Sequence, residues 1–343
     1  MPTLSGRRAR LPKYLALLLG SLLAFLISEV TIYAQEPGAE VDVLRVSTDL
    51  VVFPVRVVNK NRQSVRNLTE RDFAFQDEDK VTTSAYFAAG AERVAMVFAL
   101  DESGSLREII SQQRDTAIAL FSRFKEESRI AVLRFAERPQ LVVPFAKGAE
   151  DARAAFTFPA GHNRRTAIFD AAAAAINAFE GVTKDPAERR IIILISDGLD
   201  NASTLKPNSI VESARERNAS FYVIHLPLFE PRDGRLAVRS PAKGFRELAE
   251  KTGGRYFLVG EKSPFAAPQK TDLSPIFQAI EDDIKSQYLV GFYVGDEARD
   301  GRSHRVSISL LQPGLVYSLG ARGFSRTHHF SVKLLPKIPK SQD

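Results

Sequence analysis

Residues 94–108 read VAMVFALDESGSLRE. The first seven are apolar. A run this short, ended by turn-forming residues, suits a strand buried on both faces of a parallel sheet. The next five are small or acidic. A helical pattern then begins at Leu106, with Ile109, Ile110, Ala117, Phe121 and Phe124 recurring at spacings that build one apolar face. A buried strand that runs through a polar loop into an amphipathic helix is half of a βαβ unit.

The same unit recurs downstream. IAVLRF (Ile130–Phe135), IIILIS (Ile191–Ser196), FYVIHL (Phe221–Leu226) and YFLV (Tyr256–Val259) read as further strands. An alanine-rich helix is expected over Ala167–Phe179, because alanine is the best helix former. GFRELAEKTGG (Gly244–Gly254) reads as a helix with glycine at its C-terminal end. A last helix is expected near Leu273–Ser286. This alternation predicts an α/β fold over residues 92–287, a doubly wound, mostly parallel Rossmann-like sheet with helices on both faces. Sites in such sheets lie beyond the carboxyl ends of the strands.

Outside that region the texture is β. LVVFPVRVV (Leu50–Val58), the alternating stretch at Phe73 and Phe75, and VTTSAYF (Val81–Phe87) predict a small module over residues 44–90. Pro54 points to an edge strand or a bulge. YLVGFYV, SHRVSISL and LVYSLGARGF predict C-terminal strands over residues 288–326, which are expected to pair with 44–90 in an accessory β-sandwich split by the α/β domain. Residues 327–343 are basic and proline-punctuated. They are expected to be a flexible tail with His328 and His329 as an exposed pair.

Residues 1–34 stand apart. Arg7, Arg8, Arg10 and Lys13 precede the apolar run Tyr14–Ile27, which Ser28 and Glu29 interrupt before Ala34. A basic start, a short apolar middle and a small-residue end describe a secretory signal peptide. An uncleaved anchor is the alternative, although a bilayer span needs about 20 apolar residues. Export to the periplasm, cell envelope or extracellular space is expected, with membrane contact only through this segment. Its four basic residues and one acid account for half of the chain's net charge of +6. The remainder is too weakly basic, and too free of aromatic-interleaved basic stripes, to predict nucleic-acid binding. The chain has no cysteine, which excludes disulfides and thiolate metal sites.

Three polar positions fall at carboxyl ends of predicted strands or the loops beside them. They are Asp101-x-Ser103-x-Ser105, Thr166 in RRTAIFDA, and Asp197 in DGLD. Hydroxyls and carboxylates are ligands for a hard cation, Mg2+ or alternatively Ca2+ or Mn2+. Mostly neutral direct ligands would leave such a cation electrophilic, ready for a carboxylate from a partner.

The set and its order resemble the von Willebrand factor A-type domain with its metal-ion-dependent adhesion site. The resemblance implies that Ser103, Ser105 and Thr166 ligate the metal while Asp101 and Asp197 act largely through water. It implies a Rossmann-like fold and a protein or glycan ligand offering a carboxylate. LVVFPVRVVNKNRQSVRNLTERDFAFQDEDK, LAEKTGGRYF, QYLVGFYV and ARGF are similar to segments of exported bacterial von Willebrand factor A-related proteins. In one respect the chain departs from the family. Small glycines usually precede the threonine, whereas Arg164 and Arg165 stand here. Two consequences are open: bulky cations that crowd or repel a metal, or a rim that attracts an acidic partner. Glu102, His162 and Asp200 complete the expected rim.

Binding rather than catalysis is expected. Haloacid-dehalogenase chemistry wants an aspartate where Ser103 stands. No G-x-S-x-G elbow, phosphate-binding glycine loop or dinucleotide fingerprint occurs. His225 reads as a strand-end or core residue. The alternative function is structural: envelope assembly through a degenerate, metal-free site.

Overall fold

The structure is a computed structural model. It describes residues 43–46, 50–77, 80–81, 85–90, 93–104, 106–145, 148–158, 165–180, 188–232, 234–260, 271–293, 303–319 and 325–334. The predicted leader, Ser105, His162, Arg164 and residues 335–343 lie outside the described residues.

Before the α/β region come β1 (Val43–Val46), β2 (Leu50–Val58), β3 (Phe73–Asp77), β4 (Lys80–Val81) and β5 (Ala85–Ala89). Next follow β6 (Val94–Asp101), α1 (Leu106–Gln112), α2 (Arg114–Phe121), β7 (Arg129–Phe135), β8 (Pro139–Val143) and α3 (Ala149–Ala154). The region continues with α4 (Ile168–Asn177), β9 (Arg189–Ser196), α5 (Pro207–Glu216), β10 (Ala219–His225), β11 (Phe229–Arg232) and β12 (Arg235–Val238). It ends with α6 (Phe245–Glu250), β13 (Tyr256–Leu258) and α7 (Ser274–Ser286). The C-terminal strands are β14 (Tyr288–Tyr293), β15 (Ser303–Leu310), β16 (Val316–Leu319) and β17 (Thr327–Leu334).

The central sheet has the order β13-β10-β9-β6-β7-β8. Every pairing is parallel except that of β8, which runs antiparallel to β7. All eight residues of β6 are buried, and their alternation decides the two layers. Val94, Met96, Phe98 and Leu100 face a core with Ile110 of α1, Leu120 of α2 and Phe277, Ile280 and Ile284 of α7. Ala95, Val97 and Ala99 face the opposite core with Ala171, Ala172 and Ala175 of α4. Small residues on both partners let α4 lie close against the strand.

Two sheets make the sandwich, β16-β2-β14-β5 and β1-β17-β15-β3-β4. Phe53, Val55, Val57, Phe73, Phe75, Tyr288, Val290, Val306, Ile308 and Tyr317 form its core. Strands from before and after the α/β region pair directly: β2 with β14 and β16, and β3 with β15. The α/β domain is thus an insertion in the sandwich. Polar groups at their junction join the two. Arg56 of β2 forms an ion pair with Asp283 of α7. Asp283 also accepts hydrogen bonds from Tyr222 of β10 at 2.8 Å and from Gln287 at 2.9 Å.

Three expectations are corrected. Pro54 does not mark an edge strand: β2 is flanked by β16 and β14, and Pro54 falls one residue past the last pairing of β16, Leu319 with Val55. The helix expected to run on from Leu106 is broken at Gln113. That side chain is buried, and it donates to the Thr271 carbonyl and accepts from the Leu273 amide. The tail expected to be flexible from residue 327 begins with a strand. β17 pairs with β15 and β1, and His328 is buried, its ring edge-on to Tyr317 and its Nε2 3.0 Å from the Tyr317 carbonyl.

Candidate metal centre

Asp101 ends β6 and Asp197 follows β9, the neighbouring parallel strand, so both carboxylates leave the sheet at its carboxyl edge. Asp101 is fully buried. Its Oδ1 accepts the Ser103 amide at 2.8 Å, and its Oδ2 accepts the Ser196 hydroxyl at 2.6 Å. Burial pushes its pKa up to about 6, and the negative charge of Asp197 adds to this, while hydrogen bonds from Ser196 and Ser103 pull the other way. Asp197 is also buried and raised by burial, with the Leu199 amide bond (2.9 Å) and the charge of Arg239 opposing.

Ser103 stands in the loop between β6 and α1. Its Oγ is buried and has no hydrogen-bond partner among the described residues. The loop is pinned by the Glu102 amide, bonded to Phe135 O (2.8 Å), and by Arg107 Nε, bonded to Glu102 O (2.6 Å).

Thr166 immediately precedes the α4 cap and is buried. Its amide donates to Asn201 Oδ1 at 2.8 Å, and its carbonyl accepts from the amides of Asn201 and Ala202 at 3.0 and 3.1 Å. The Ala167 amide reaches Ala136 O, just past β7, at 2.8 Å. The Thr166 loop is therefore stitched to the loops after β7 and β9.

Of the expected rim residues, those described already have partners. Glu102 pairs with Arg134 of β7 at 3.1 Å. Asp200 serves the start of α4, accepting from the Ile168 amide (3.1 Å) and the Ser203 hydroxyl (2.7 Å), and Ser203 in turn accepts the Phe169 amide (2.9 Å). These bonds cap a helix whose own cap residue, Ala167, has no polar side chain. Arg165 is more than half exposed and lies 2.5 Å from Glu137, so its charge is paired at the surface.

Asn201, Ser196 and His225 support these residues and were not assigned to the site from sequence. Ser196 is the polar last residue of an apolar strand, which was the available signal. His225, fully buried at the end of β10, places Nε2 2.8 Å from the Asp197 carbonyl and Nδ1 2.5 Å from the Tyr256 hydroxyl. A carbonyl only accepts, so Nε2 carries the proton and Nδ1 accepts from Tyr256. Burial pushes the imidazole pKa down, and the bond to the Asp197 carbonyl opposes that shift. The neutral ring fixes the backbone of the Asp197 loop.

The family model of the von Willebrand factor type A domain matches residues 96–199. No curated protein matches the sequence. Among solved structures, the chain is similar to proximal thread matrix protein 1 from the mussel byssus with a zinc-occupied MIDAS motif. That likeness has 15% identity and a TM-score of 0.44, over 60% of this chain and 49% of that one. The chain thus spans about half the length of that protein. An aerotolerance-related membrane protein from Bacteroides fragilis gives 19% identity and a TM-score of 0.40, over 56% of this chain and 98% of that one. A von Willebrand factor type A protein from Catenulispora acidiphila gives 14% identity and a TM-score of 0.43, over 86% and 76%. Residues 96–199 thus match the von Willebrand factor type A domain, and they hold β6, β7 and β9, neighbours in the parallel part of the central sheet.

Proposed function

We propose that the chain is an interaction module of the cell envelope that holds a divalent cation at the carboxyl edge of its central sheet. Mg2+ is the favoured ion, with Ca2+ or Mn2+ as alternatives. Through it the module binds a carboxylate of a protein or glycan partner. The observation that carries this reading is the Oγ of Ser103, buried with no hydrogen-bond partner among the described residues, in the loop that follows the buried Asp101. A buried hydroxyl without a partner costs about 1–3 kcal/mol, and a cation with oxygen ligands would satisfy it. The donor set suits a hard ion. The hydroxyls of Ser103 and Thr166, joined by Ser105, would hold it, and Asp101 and Asp197 would balance its charge. When bound, the ion supplies an electrophilic position for an incoming carboxylate.

The protein's own groups prepare that position. Ser196 orients Asp101, His225 fixes the Asp197 loop, and Asn201 fixes Thr166. His225 has both ring nitrogens engaged by Asp197 and Tyr256, which supports binding rather than hydrolysis. Envelope placement rests on the secretory character of residues 1–34. No helix among the described residues is long and apolar enough to cross a membrane.

Titration calorimetry of the full chain with Mg2+ tests the reading. A saturable heat in the wild type that disappears in Asp101→Ala is expected. Identical heats in the two proteins would overturn it in favour of metal-free assembly. Turnover of generic ester or phosphate substrates would overturn the non-catalytic reading.

A further inference from the structure

Between β10 and α6 the chain leaves the sheet at the edge that carries the candidate metal centre. There β11 and β12 form a two-stranded antiparallel sheet of their own. The base of this hairpin is tied down. The Arg239 amide donates to Leu228 O at 2.8 Å, and the Ala242 amide donates to Gly198 O at 2.7 Å, one residue past Asp197. Gly198 has φ +80°, and a Cβ there would lie 2.6 Å from Pro241 Cβ. The return segment of the hairpin therefore sits directly on the Asp197 loop.

At the base of the hairpin Arg239 pairs with Glu230 at 3.8 Å, but the charges at its tip oppose the ladder. Residues 227–243 carry Arg232, Arg235, Arg239 and Lys243 against Glu230 and Asp233. Arg232 and Arg235 are exposed and stand directly opposite each other in the ladder. Like charges in that relation destabilise an antiparallel pair. Phe229 is 38% exposed and shares a face with Pro231 and Val238 by alternation. Among the described residues, each of the two strands has one edge without a partner strand.

We propose that the β11–β12 hairpin is the second half of the ligand surface and takes an extended acidic peptide. The peptide adds as a strand to the open edge of β12, since Pro231 leaves the edge of β11 short of an amide donor, and meets Arg232 and Arg235 with its carboxylates. One further carboxylate goes to the metal centre, and only that clause rests on the function proposed above. An unpaired ladder edge offers backbone donors and acceptors at the spacing of an extended chain, and Phe229 offers an apolar contact. An acidic glycan uses neither, so the peptide is favoured.

The test uses the full chain and three probes, in Mg2+ and in chelator. They are a labelled decapeptide of alternating Glu and Val, a neutral decapeptide with one Asp balanced by one Lys, and polygalacturonate. The variant is the double substitution Arg232→Ser and Arg235→Ser, which removes a repulsion and so leaves folding intact, as circular dichroism checks. The acidic peptide is expected to bind the variant at least about fivefold more weakly, with the difference shrinking at high salt. The neutral peptide and the Mg2+ heat should not change between the two proteins. Equal affinity of both proteins for the acidic peptide, no binding of it by the wild type, or tighter binding of polygalacturonate would each overturn the hairpin proposal. Absence of a Mg2+ heat in the wild type would overturn the metal reading instead, and the wild-type-to-variant ratio in chelator would still report on the hairpin.

Discussion

Ser196 donates its hydroxyl to Asp101 across the β6–β9 ladder, with Oγ 2.6 Å from Oδ2. The same Oγ accepts the Gly198 amide at 3.1 Å. One side chain thus holds the first aspartate of the site and the turn that follows the second. Ser196→Ala should remove both bonds in a buried setting and destabilise the protein by about 1–3 kcal/mol. It should also raise the Asp101 pKa further, because a bond that favours the carboxylate disappears. Urea unfolding measures the first effect, and carbon-detected NMR titration of the carboxyl measures the second.

Protonation of Asp101 should compete with metal. In the metal-free protein its pKa is pushed to about 6, above the ordinary 3.8. A carboxyl raised on folding binds its proton more tightly in the native state. Its contribution to metal-free stability is therefore present at acid pH and is lost as pH rises from about 4 to about 6. Mg2+ needs the carboxylate, so its affinity should fall about tenfold per pH unit below 6 and level off above it. The thermal shift produced by Mg2+ should accordingly be small at pH 5 and full at pH 7.5.

His225→Phe should keep the aromatic packing against Phe245 but lose the bond to the Asp197 carbonyl. Supporting groups of this kind typically contribute about 10–100-fold in metal affinity. A drop of about tenfold in Mg2+ affinity is expected by calorimetry. Tyr256→Phe keeps the imidazole and its bond to Asp197, and should lose less.

Arg56→Ala should leave Asp283 buried without its cation, though Tyr222 and Gln287 still donate to it. A loss of about 2–3 kcal/mol is expected in urea unfolding. Mg2+ affinity at the opposite edge of the sheet should be unchanged.

Much of the α/β architecture was legible because β6, β9 and β10 are short apolar runs and α4 is an alanine-rich helix. Both patterns are local. The break at Gln113 was hidden because the groups that hold its side chain, on Thr271 and Leu273, lie far along the chain. β17 was hidden because its pairing with β15 and β1 outweighs the loose composition of the tail. At the candidate site, Asp101, Ser103, Thr166 and Asp197 were singled out from strand ends, loop positions and a family resemblance. The fates of Glu102 and Asp200 could not, since Arg134 and the amide of Ile168 meet them only in three dimensions. His225 showed itself as a strand-end residue. Its bond to the Asp197 carbonyl depends on the alignment of β10 beside β9.

The most direct measurement is anomalous scattering from crystals of the full chain grown with Mn2+. One strong peak is expected within coordination distance of the hydroxyls of Ser103 and Thr166, with Asp101 and Asp197 behind it, and no such peak in Asp101→Ala. A peak elsewhere on the chain, or none at saturating Mn2+, would contradict the proposed metal site.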